Sequence, residues 1–478
     1  MRTAYDVETV RSAERALMAR LPDGALMQRA AAGLAVACAD LLGKVYGSRV
    51  ALLVGSGDNG GDALYAGARL ARRGAGVTAL LLSPDRAHAG GLAALRAAGG
   101  TVTDAESDTA EETVSRADLV LDGIVGIGGR GGLRPRAARL AEAARGLVVA
   151  VDLPSGVDAD TGEVHGDAVR ATATVTFGAY KPGLLVDPAR EYAGALRLVG
   201  IGLEPPYEQA AVEALHHADV AALLPEPTGE SDKYRRGVVG VVAGSERYPG
   251  AAVLAVAGAL HGGAGAVRYA GPAADAVLAR FPETLVSAGP PAKAGRVQSW
   301  VIGPGLGDDA SGLLDVLTSD VPVLIDADGL RLADVNAVRS RTAPTVLTPH
   351  AGEAAALLGV ARDEVEGQRL TSVRSLASRY AATVLLKGST TLIASPDAPS
   401  PVRVNPTGTP WLATAGSGDV LSGLTGSLLA AGLHPLDAAS AAAYLHGLAA
   451  RFASNGAPVS AQDVAHAVPA AWRDVRGS

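Results

Sequence analysis

The stretch NPTGTPWLATAGSGDVLSG, residues 405–423, is the part of the chain that decides the fold. It ends in Gly416-Ser417-Gly418-Asp419 and runs directly into an apolar, helix-like segment from Val420 to Leu429. Glycines at a helix start expose backbone N–H groups, and the helix dipole adds positive potential, which predicts an anion site. An aspartate in such a site indicates proton handling, the alternative being a first-turn acid that favours the dipole. We therefore predict that Asp419 activates a hydroxyl group beside a nucleotide phosphate.

Five further segments of the second half place glycine or polar residues at the end of a predicted strand. Open α/β sheets bind ligands at the carboxyl ends of their strands, so these segments predict a site along one edge of a sheet. The segments are KYRRGVVGVVAGSERY (233–248), GPGLG (303–307), LIDADGL (324–330), TPHAGE (348–353) and KGSTT (387–391).

Short apolar, β-branched runs alternate with Ala/Leu-rich helical stretches in both halves. Continuous apolar strands between helices predict mostly parallel sheets with helices on both faces, which is α/β architecture. The predicted strands are Arg49–Gly55, Val77–Leu82, Asp118–Gly126, Leu147–Asp152, Ala173–Phe177, Ala195–Val199, Val238–Ala243, Ala266–Tyr269, Trp300–Gly303, Pro322–Asp326, Thr345–Thr348 and Thr383–Lys387.

A proline-rich, polar stretch from Leu203 to Asp232 separates the two halves. It contains Pro205-Pro206, Pro225 and Pro227 and predicts a domain boundary. We expect two domains, residues 1–207 and 210–478.

Composition excludes several classes of function. Of 478 residues, 48% are hydrophobic and 19% charged, which predicts a large core. The net charge of −7, without a basic run, disfavours nucleic-acid binding, and the lone Cys38 excludes a disulfide framework or thiolate metal site. Charged residues near the start predict no signal peptide, and the weakly polar run Gly250–Val267 predicts a packed helix, not a membrane span. We expect a cytoplasmic enzyme without a membrane partner.

The first half carries a glycine-rich turn, GSGDNGGD (55–62), between a predicted strand and a predicted helix from Ala63 to Arg73. It fits the pattern of a Rossmann dinucleotide site, and a plain tight turn is the alternative. Two more strand ends follow, LDGIVGIGGRG (121–131) and VDLPSGVD (151–158). Adjacent parallel strands would bring Asn59, Asp122 and Ser155 to one rim, where three oxygen donors suit a hard cation, although each aspartate alone could cap a helix.

These three segments resemble the signature segments of the NAD(P)H-hydrate epimerase family across essentially the whole first half. The resemblance implies a Rossmann-like fold and a potassium ion held by Asn59, Asp122 and Ser155. The family usually has Asn where Asp58 stands and Gly where Ala63 stands. Inverting a hydroxyl-bearing ring carbon needs an acid/base, for which Asp152 is our first candidate and Asp122 our second. The implied substrate-binding residues are Asp58, Asn59, Gly60, Gly61, Asp62, Gly126, Ile127, Gly128, Gly129, Arg130, Gly131, Gly132 and Asp152.

The second half, from about residue 230 to 478, resembles the ADP/ATP-dependent NAD(P)H-hydrate dehydratase family of the ribokinase-like superfamily. Asp419 would take the proton of the substrate hydroxyl as that oxygen attacks the terminal phosphate of ADP; loss of phosphate from the carbon then restores NAD(P)H. The resemblance implies contact with the hydrated nicotinamide from Ala251, Gly307, His350 and Asp419, and contact with the AMP moiety from Lys387, Gly388, Ser389, Thr390, Thr391 and Gly418. His350 has the alternative of a polar residue at a helix N-terminus, and Lys387 that of a lysine at a strand end.

The leading hypothesis is a bifunctional repair enzyme whose partners are the hydrates NADHX and NADPHX and the co-substrate ADP, with K⁺ and Mg²⁺ as cofactors. We expect a homo-oligomer. One alternative is a ribokinase-like small-molecule kinase with an accessory nucleotide-binding domain. A second alternative treats the first half as a binding module without catalysis.

Overall fold

The computed structural model describes residues 1–397 and 400–477. They form two compact units. The N-terminal unit is Thr3–Val212, and the C-terminal unit joins Met1–Arg2 to the chain from Glu213 onward. Each is an α/β unit, as the sequence predicts.

From Arg2 to Leu223 the elements in chain order are β1 (Arg2–Ala4), α1 (Val7–Met18), α2 (Ala25–Leu42), β2 (Arg49–Val54), α3 (Asp58–Arg72), β3 (Gly76–Leu81), α4 (Ala89–Ala97), β4 (Thr101–Asp104), α5 (Ala110–Ser115), β5 (Leu119–Gly123), α6 (Pro135–Ala143), β6 (Leu147–Val151), β7 (Ala173–Phe177), α7 (Arg190–Ala193), β8 (Ala195–Val199), β9 (Val212–Ala214) and α8 (His217–Leu223).

From Val238 onward they are β10 (Val238–Val242), α9 (Pro249–His261), β11 (Ala266–Ala270), α10 (Ala274–Arg280), β12 (Leu285–Ser287), β13 (Ser299–Ile302), α11 (Leu313–Leu317), β14 (Val323–Ile325), α12 (Asp328–Leu332), α13 (Val335–Arg339), β15 (Thr345–Leu347), α14 (Ala351–Leu358), α15 (Arg362–Gly367), α16 (Arg369–Tyr380), β16 (Thr383–Leu386), β17 (Thr391–Ala394), β18 (Val402–Asn405), α17 (Ser417–Ala430), α18 (Pro435–Ser454) and α19 (Ala461–Arg476).

The N-terminal sheet is parallel throughout, in the order β4-β3-β2-β5-β6-β7-β8. Its central strands are almost entirely apolar and buried because helices cover both faces. The strands β2, β5 and β6 are direct neighbours, so the residues that follow them meet at one edge of the sheet. By length and composition alone, α2 could cross a membrane, but it packs Leu34, Ala35 and Cys38 into the core of this unit.

In the C-terminal unit the strands β10 to β18 follow the order β18-β17-β16-β15-β14-β13-β10-β11-β12. Pairing is parallel from β12 to β16 and antiparallel from β16 to β18. Helices α9 and α17 pack closely because glycines stand at their crossing. A Cβ atom at Gly423 would lie 1.9 Å from the carbonyl oxygen of Ala255, and one at Gly258 would lie 2.1 Å from that of Val420.

All twelve predicted strands are present, whereas the predicted starts of two helices are wrong. Helix α3 begins at Asp58 rather than Ala63, and α17 begins at Ser417 rather than Val420. In both cases a glycine with a positive φ, Gly57 at 92° and Gly416 at 85°, precedes the helix and makes the sharp turn. The glycine-rich residues therefore form the first helical turns rather than loops. The weakly polar run Gly250–Val267 is also not one helix, because α9 ends at His261.

Candidate active sites

The proposed potassium ligands of the N-terminal unit lie where β2, β5 and β6 end. Asp122 is fully buried; its Oδ1 accepts a hydrogen bond from Ser155 Oγ at 2.6 Å, and its Oδ2 accepts one from the Ser155 backbone N–H at 2.8 Å. Asn59 borders the next loop, since a Cβ atom at Gly126 would lie 2.9 Å from its Oδ1. Burial raises the pKa of Asp122 to about 6, although the hydrogen bonds from Ser155 and Ile124 lower it. The set offers carboxylate, hydroxyl and amide oxygens, which a hard cation prefers.

Asp152 follows β6 and has a left-handed backbone conformation, with φ 68°. Its Oδ1 accepts hydrogen bonds from Lys181 Nζ at 2.5 Å, Thr176 Oγ1 at 3.0 Å and the Phe177 backbone N–H at 3.3 Å. The Lys181 side chain is almost completely buried. The carboxyl group is therefore held in one orientation by a buried ion pair with Lys181, and this partner is absent from the sequence prediction.

The residues Asp58 to Asp62 form the first turn of α3. Asp58 is exposed, whereas Gly60, Gly61 and Asp62 are buried. A Cβ atom at Gly60 would lie 2.6 Å from the carbonyl oxygen of Gly55, so the turn requires glycine there. The predicted binding residues thus form one turn with an exposed acid at its start and a buried acid at its end.

The predicted binding loop Gly126–Gly132 connects β5 to α6. Gly128, Arg130, Gly131 and Gly132 are exposed, and Gly126, Ile127 and Gly129 are half-buried. The loop begins beside Asn59, and a Cβ atom at Gly128 would lie 3.4 Å from an Arg11 guanidinium nitrogen. The same edge of the sheet therefore carries the predicted cation ligands and the start of this loop.

In the C-terminal unit, an ion pair connects the ends of β14 and β16. Lys387 Nζ donates to Asp326 Oδ1 at 2.8 Å and lies 3.8 Å from Glu353 Oε2. Asp326 is buried, and its Oδ2 accepts a hydrogen bond from Ser422 Oγ of α17 at 2.6 Å. A Cβ atom at Gly418 would lie 3.4 Å from Lys387 Nζ, so the lysine reaches the first turn of α17.

Asp419 lies in this first turn among other charged groups. Burial and the carboxylate of Asp326 raise its pKa to about 7, Lys387 lowers it, and Asp328 and Glu353 raise it further. Burial lowers the pKa of Lys387, but Asp326 and Glu353 outweigh burial and the net change is upward. A carboxylate with a pKa near neutrality beside a permanent cation is suited to accept a proton at physiological pH.

The predicted AMP-binding residues Lys387 to Thr390 form the turn between β16 and β17, and Thr391 begins β17. Arg369 of α16 supports this turn from below: its guanidinium donates to the carbonyl oxygens of Lys387 at 3.3 Å and Thr390 at 2.9 Å. Gly388 and Ser389 are exposed at the tip. The tip of the turn is therefore exposed to solvent, and the buried Arg369 guanidinium holds the two ends of the turn.

His350 is the N-cap of α14. Its Nδ1 accepts hydrogen bonds from the backbone N–H groups of Gly352 and Glu353, and its own backbone N–H donates to Glu353 Oε2. His350 therefore caps the N-terminus of α14, as one of the two alternatives from the sequence predicts. The side chain is exposed, and its Nε2 lies 3.5 Å from Glu353 Oε1.

The remaining predicted contact residues, Ala251 and Gly307, are half-buried. Gly307 donates its N–H to Asp328 Oδ2 at 2.8 Å and is thereby connected to the Asp326–Asp328 strand end. Ala251 lies beside the β13 turn, where a Cβ atom at Gly305 would lie 2.7 Å from its own Cβ. Gly307 therefore lies next to Asp328, whereas Ala251 lies in the first turn of α9 beside the turn that follows β13.

Five polar residues of these sites are missing from the sequence prediction: Lys181, Asp326, Glu353, Arg369 and His446. Two of them, Asp326 and Glu353, stand inside segments whose neighbours were singled out, and a buried charge at a strand end is the signal that could have found Asp326 and Lys181. His446 of α18 is buried and has a hydrogen bond to the backbone of Ser417. Burial lowers the pKa of His446 to about 4, so its side chain is neutral.

Within residues 1–397 and 400–477, no three His, Cys, Asp or Glu side chains are grouped so that they could hold a metal ion by themselves.

Comparison with known proteins gives one family for each half. Residues 23–183 match the family described as YjeF-related protein N-terminus, and residues 239–470 match the family described as NAD(P)H-hydrate dehydratase. A Mycobacterium leprae protein named bifunctional NAD(P)H-hydrate repair enzyme is 52% identical over 464 residues, covering 94% of each chain. A Mycobacterium tuberculosis protein of the same name is 51% identical, covering 92% of each chain.

Solved structures match the C-terminal unit. The ADP/ATP-dependent NAD(P)H-hydrate dehydratase of Bacillus subtilis, co-crystallised with ATP and Mg²⁺, is 30% identical, with a TM-score of 0.50; the match covers 54% of this chain and 97% of that one. A ribokinase-like superfamily protein of Enterococcus faecalis, at 24% identity and a TM-score of 0.50, has the same fold; that match covers 57% of this chain and 100% of that one. The small-molecule kinase alternative is not favoured by these matches. The chain belongs to the family of bifunctional NAD(P)H-hydrate repair enzymes.

Proposed function

We propose that the N-terminal unit interconverts the R and S hydrates of NADH and NADPH, and that the C-terminal unit converts the S hydrate to NAD(P)H with consumption of ADP, giving AMP and phosphate. Membership of the repair family supports this assignment. The observation that carries it is the position of Asp419 in a glycine-started first turn, beside Lys387 and with a pKa near 7.

For dehydration, Asp419 takes the proton from the substrate hydroxyl as that oxygen attacks the terminal phosphorus of ADP, and AMP leaves. The C–O bond then breaks with phosphate as the leaving group, and loss of a proton from the adjacent ring carbon to water forms the C=C bond of NAD(P)H. The N–H groups of Gly416 and Gly418 stabilise charge on the transferring phosphoryl group, and Lys387 adds a fixed positive charge beside them. The residues Lys387 to Thr391 contact the AMP moiety, and Ala251, Gly307 and His350 contact the hydrated ring.

We expect Mg²⁺ to bind together with ADP at this site. Asp326, Asp328 and Glu353 all raise the pKa of Asp419, so the site is rich in negative charge before a phosphate arrives. Mg²⁺ bound with the phosphates and these carboxylates would supply neutralising charge. The B. subtilis relative that was co-crystallised with ATP and Mg²⁺ supports the same assignment.

For epimerisation, Asp152 is the first candidate acid/base and Asp122 the second. Asn59, Asp122 and Ser155 would hold K⁺, whose positive charge would stabilise the buried Asp122 carboxylate. The residues Asp58 to Asp62 and the loop Gly126–Gly132 would bind the nucleotide part of the hydrate. The domain limits 1–207 and 210–478, a homo-oligomeric state and a cytoplasmic location remain part of this proposal.

Product analysis tests the proposal directly. The purified chain is incubated with the S hydrate, ADP, Mg²⁺ and K⁺, and phosphate, AMP and reduced cofactor are quantified. We expect the three products in equal amounts. A stable phosphorylated product without reduced cofactor would instead support the small-molecule kinase, and unchanged epimerisation in D152N would support a first half that only binds.

A further inference from the structure

Asp62 is a buried acid with an unpartnered oxygen at the edge of the N-terminal sheet. Its side chain belongs to the first turn of α3 and is only 9% exposed. Its Oδ1 has no hydrogen-bond partner among the described residues. Burying a carboxylate without a partner costs several kcal/mol, so such a group either keeps its proton or faces a ligand.

The charges around Asp62 favour the protonated form. Burial raises its pKa well above the usual value, and the carboxylates of Asp152, Asp58 and Glu14 raise it further. These groups come from three places: the end of β6, the start of α3 and helix α1. The two cations of the neighbourhood, Lys181 and Arg11, act on Glu14, where they lower the pKa against the larger effect of burial.

Asp152, in contrast, has a carboxyl group that is fixed by hydrogen bonds. Three donors converge on its Oδ1, and one of them is the ammonium group of Lys181 at 2.5 Å. The two acids therefore differ in their contacts: Asp62 has a buried oxygen without a partner, whereas Asp152 is bound by three donors.

We propose that Asp62 is the general acid of the epimerase, a catalytic residue that protonates the ring hydroxyl of the hydrate. This rests on the proposed epimerase function. The C–O bond breaks with its electron pair on oxygen, Asp62 gives its proton to that oxygen, and water and a planar cationic ring result. Asp62 thereby takes the acid role for which Asp152 was the first candidate, and Asp152, fixed by Lys181, stabilises the cation instead. Water then adds to the other face of the ring and releases its proton to solvent water, and Asp62 is reprotonated from solvent, which gives the other epimer with atoms and charge balanced.

Substitution D62N tests this assignment, with D108N, an exposed acid of the same unit, as the matched control. Epimerisation is followed from the pure R hydrate without ADP, after subtraction of the spontaneous rate, and dehydration is followed from the S hydrate with ADP. We expect D62N to lower kcat for epimerisation by at least about 100-fold, the lower end of the range for a general acid. Its dehydration rate and that of D108N should stay within twofold of wild type.

The pH profile of the wild type gives a second readout that does not depend on a variant folding. An acid that must be protonated predicts that kcat falls tenfold per pH unit above its pKa, and D62N should lack this limb. A smaller loss of kcat in D62N, or a wild-type kcat that rises with pH throughout, overturns the assignment of Asp62. A wild-type chain that does not exceed the spontaneous rate overturns the epimerase function itself, a result distinguishable from the first because it involves no variant.

Discussion

Replacing Asp419 by asparagine is expected to abolish dehydration and to stabilise the fold at alkaline pH. The pKa of this carboxyl is about 7 in the folded chain, first because of burial, compared with an ordinary value of 3.8. A difference of about three units corresponds to about 4 kcal/mol. Since the folded state binds the proton more tightly, stability is lost as pH rises from 3.8 through 7. Above this window the ionised Asp419 costs the fold at most about 4 kcal/mol, and solvent screening reduces this value.

Thermal unfolding of the wild type and D419N at about pH 4 and pH 8 measures this effect. For a unit of this size each kcal/mol shifts the melting temperature by roughly 2–4 °C, so D419N gains at most roughly 8–16 °C at the higher pH and little at the lower. Dehydration with ADP should fall at least about 100-fold. In the wild type, its rate should rise tenfold per pH unit up to about 7 and then level off.

The control is D320N, which replaces an exposed aspartate of the same unit and should show neither effect. The reasoning is refuted if D419N melts like the wild type at both pH values. It is equally refuted if D419N dehydrates the S hydrate at more than about a tenth of the wild-type rate.

Three further predictions concern other parts of the two sites. K387M removes the cation that lowers the pKa of Asp419, so dehydration should slow at least about tenfold and the pH profile should move to higher pH; an unshifted profile contradicts the ion pair. Exchange of K⁺ for tetramethylammonium should slow epimerisation but not dehydration, and D122N should be slow in either salt; a rate indifferent to the cation contradicts the potassium site. G423A forces α17 away from the Ala255 carbonyl and should cost about 1–3 kcal/mol in urea unfolding, whereas G367A, with open space at its Cβ, should cost nothing; equal stabilities would show that the helix contact is not close.

The architecture was predictable because its signals are local. Apolar strands between Ala/Leu-rich helices indicate parallel sheets, and glycine or polar residues mark where the strands end. The short strands β4 and β12 were missed because they lie at sheet edges and none of their residues is fully buried, so they lack the apolar run that identified the others. The antiparallel strands β17 and β18 were missed although they are largely buried.

The contacts of the acidic site residues were not predictable, because each joins residues that are far apart in the sequence. Lys181 meets Asp152 only because β7 lies beside β6, and Lys387 meets Asp326 although β15 lies between the strands that they follow. The protonation of Asp62 depends on burial, which no local pattern of residues reports. For His350, the sequence left two alternatives, and the structure gives the capping contact together with an exposed edge of the ring.

Incubation of the purified chain with the mixed R and S hydrates, ADP, Mg²⁺ and K⁺ shows whether one chain performs both reactions. We expect complete conversion of both epimers to NAD(P)H at a rate above spontaneous epimerisation, with one AMP and one phosphate for each. Rapid conversion of the S fraction alone, followed by conversion of the R fraction at only the spontaneous rate of epimerisation, would contradict the claim that one chain performs both reactions.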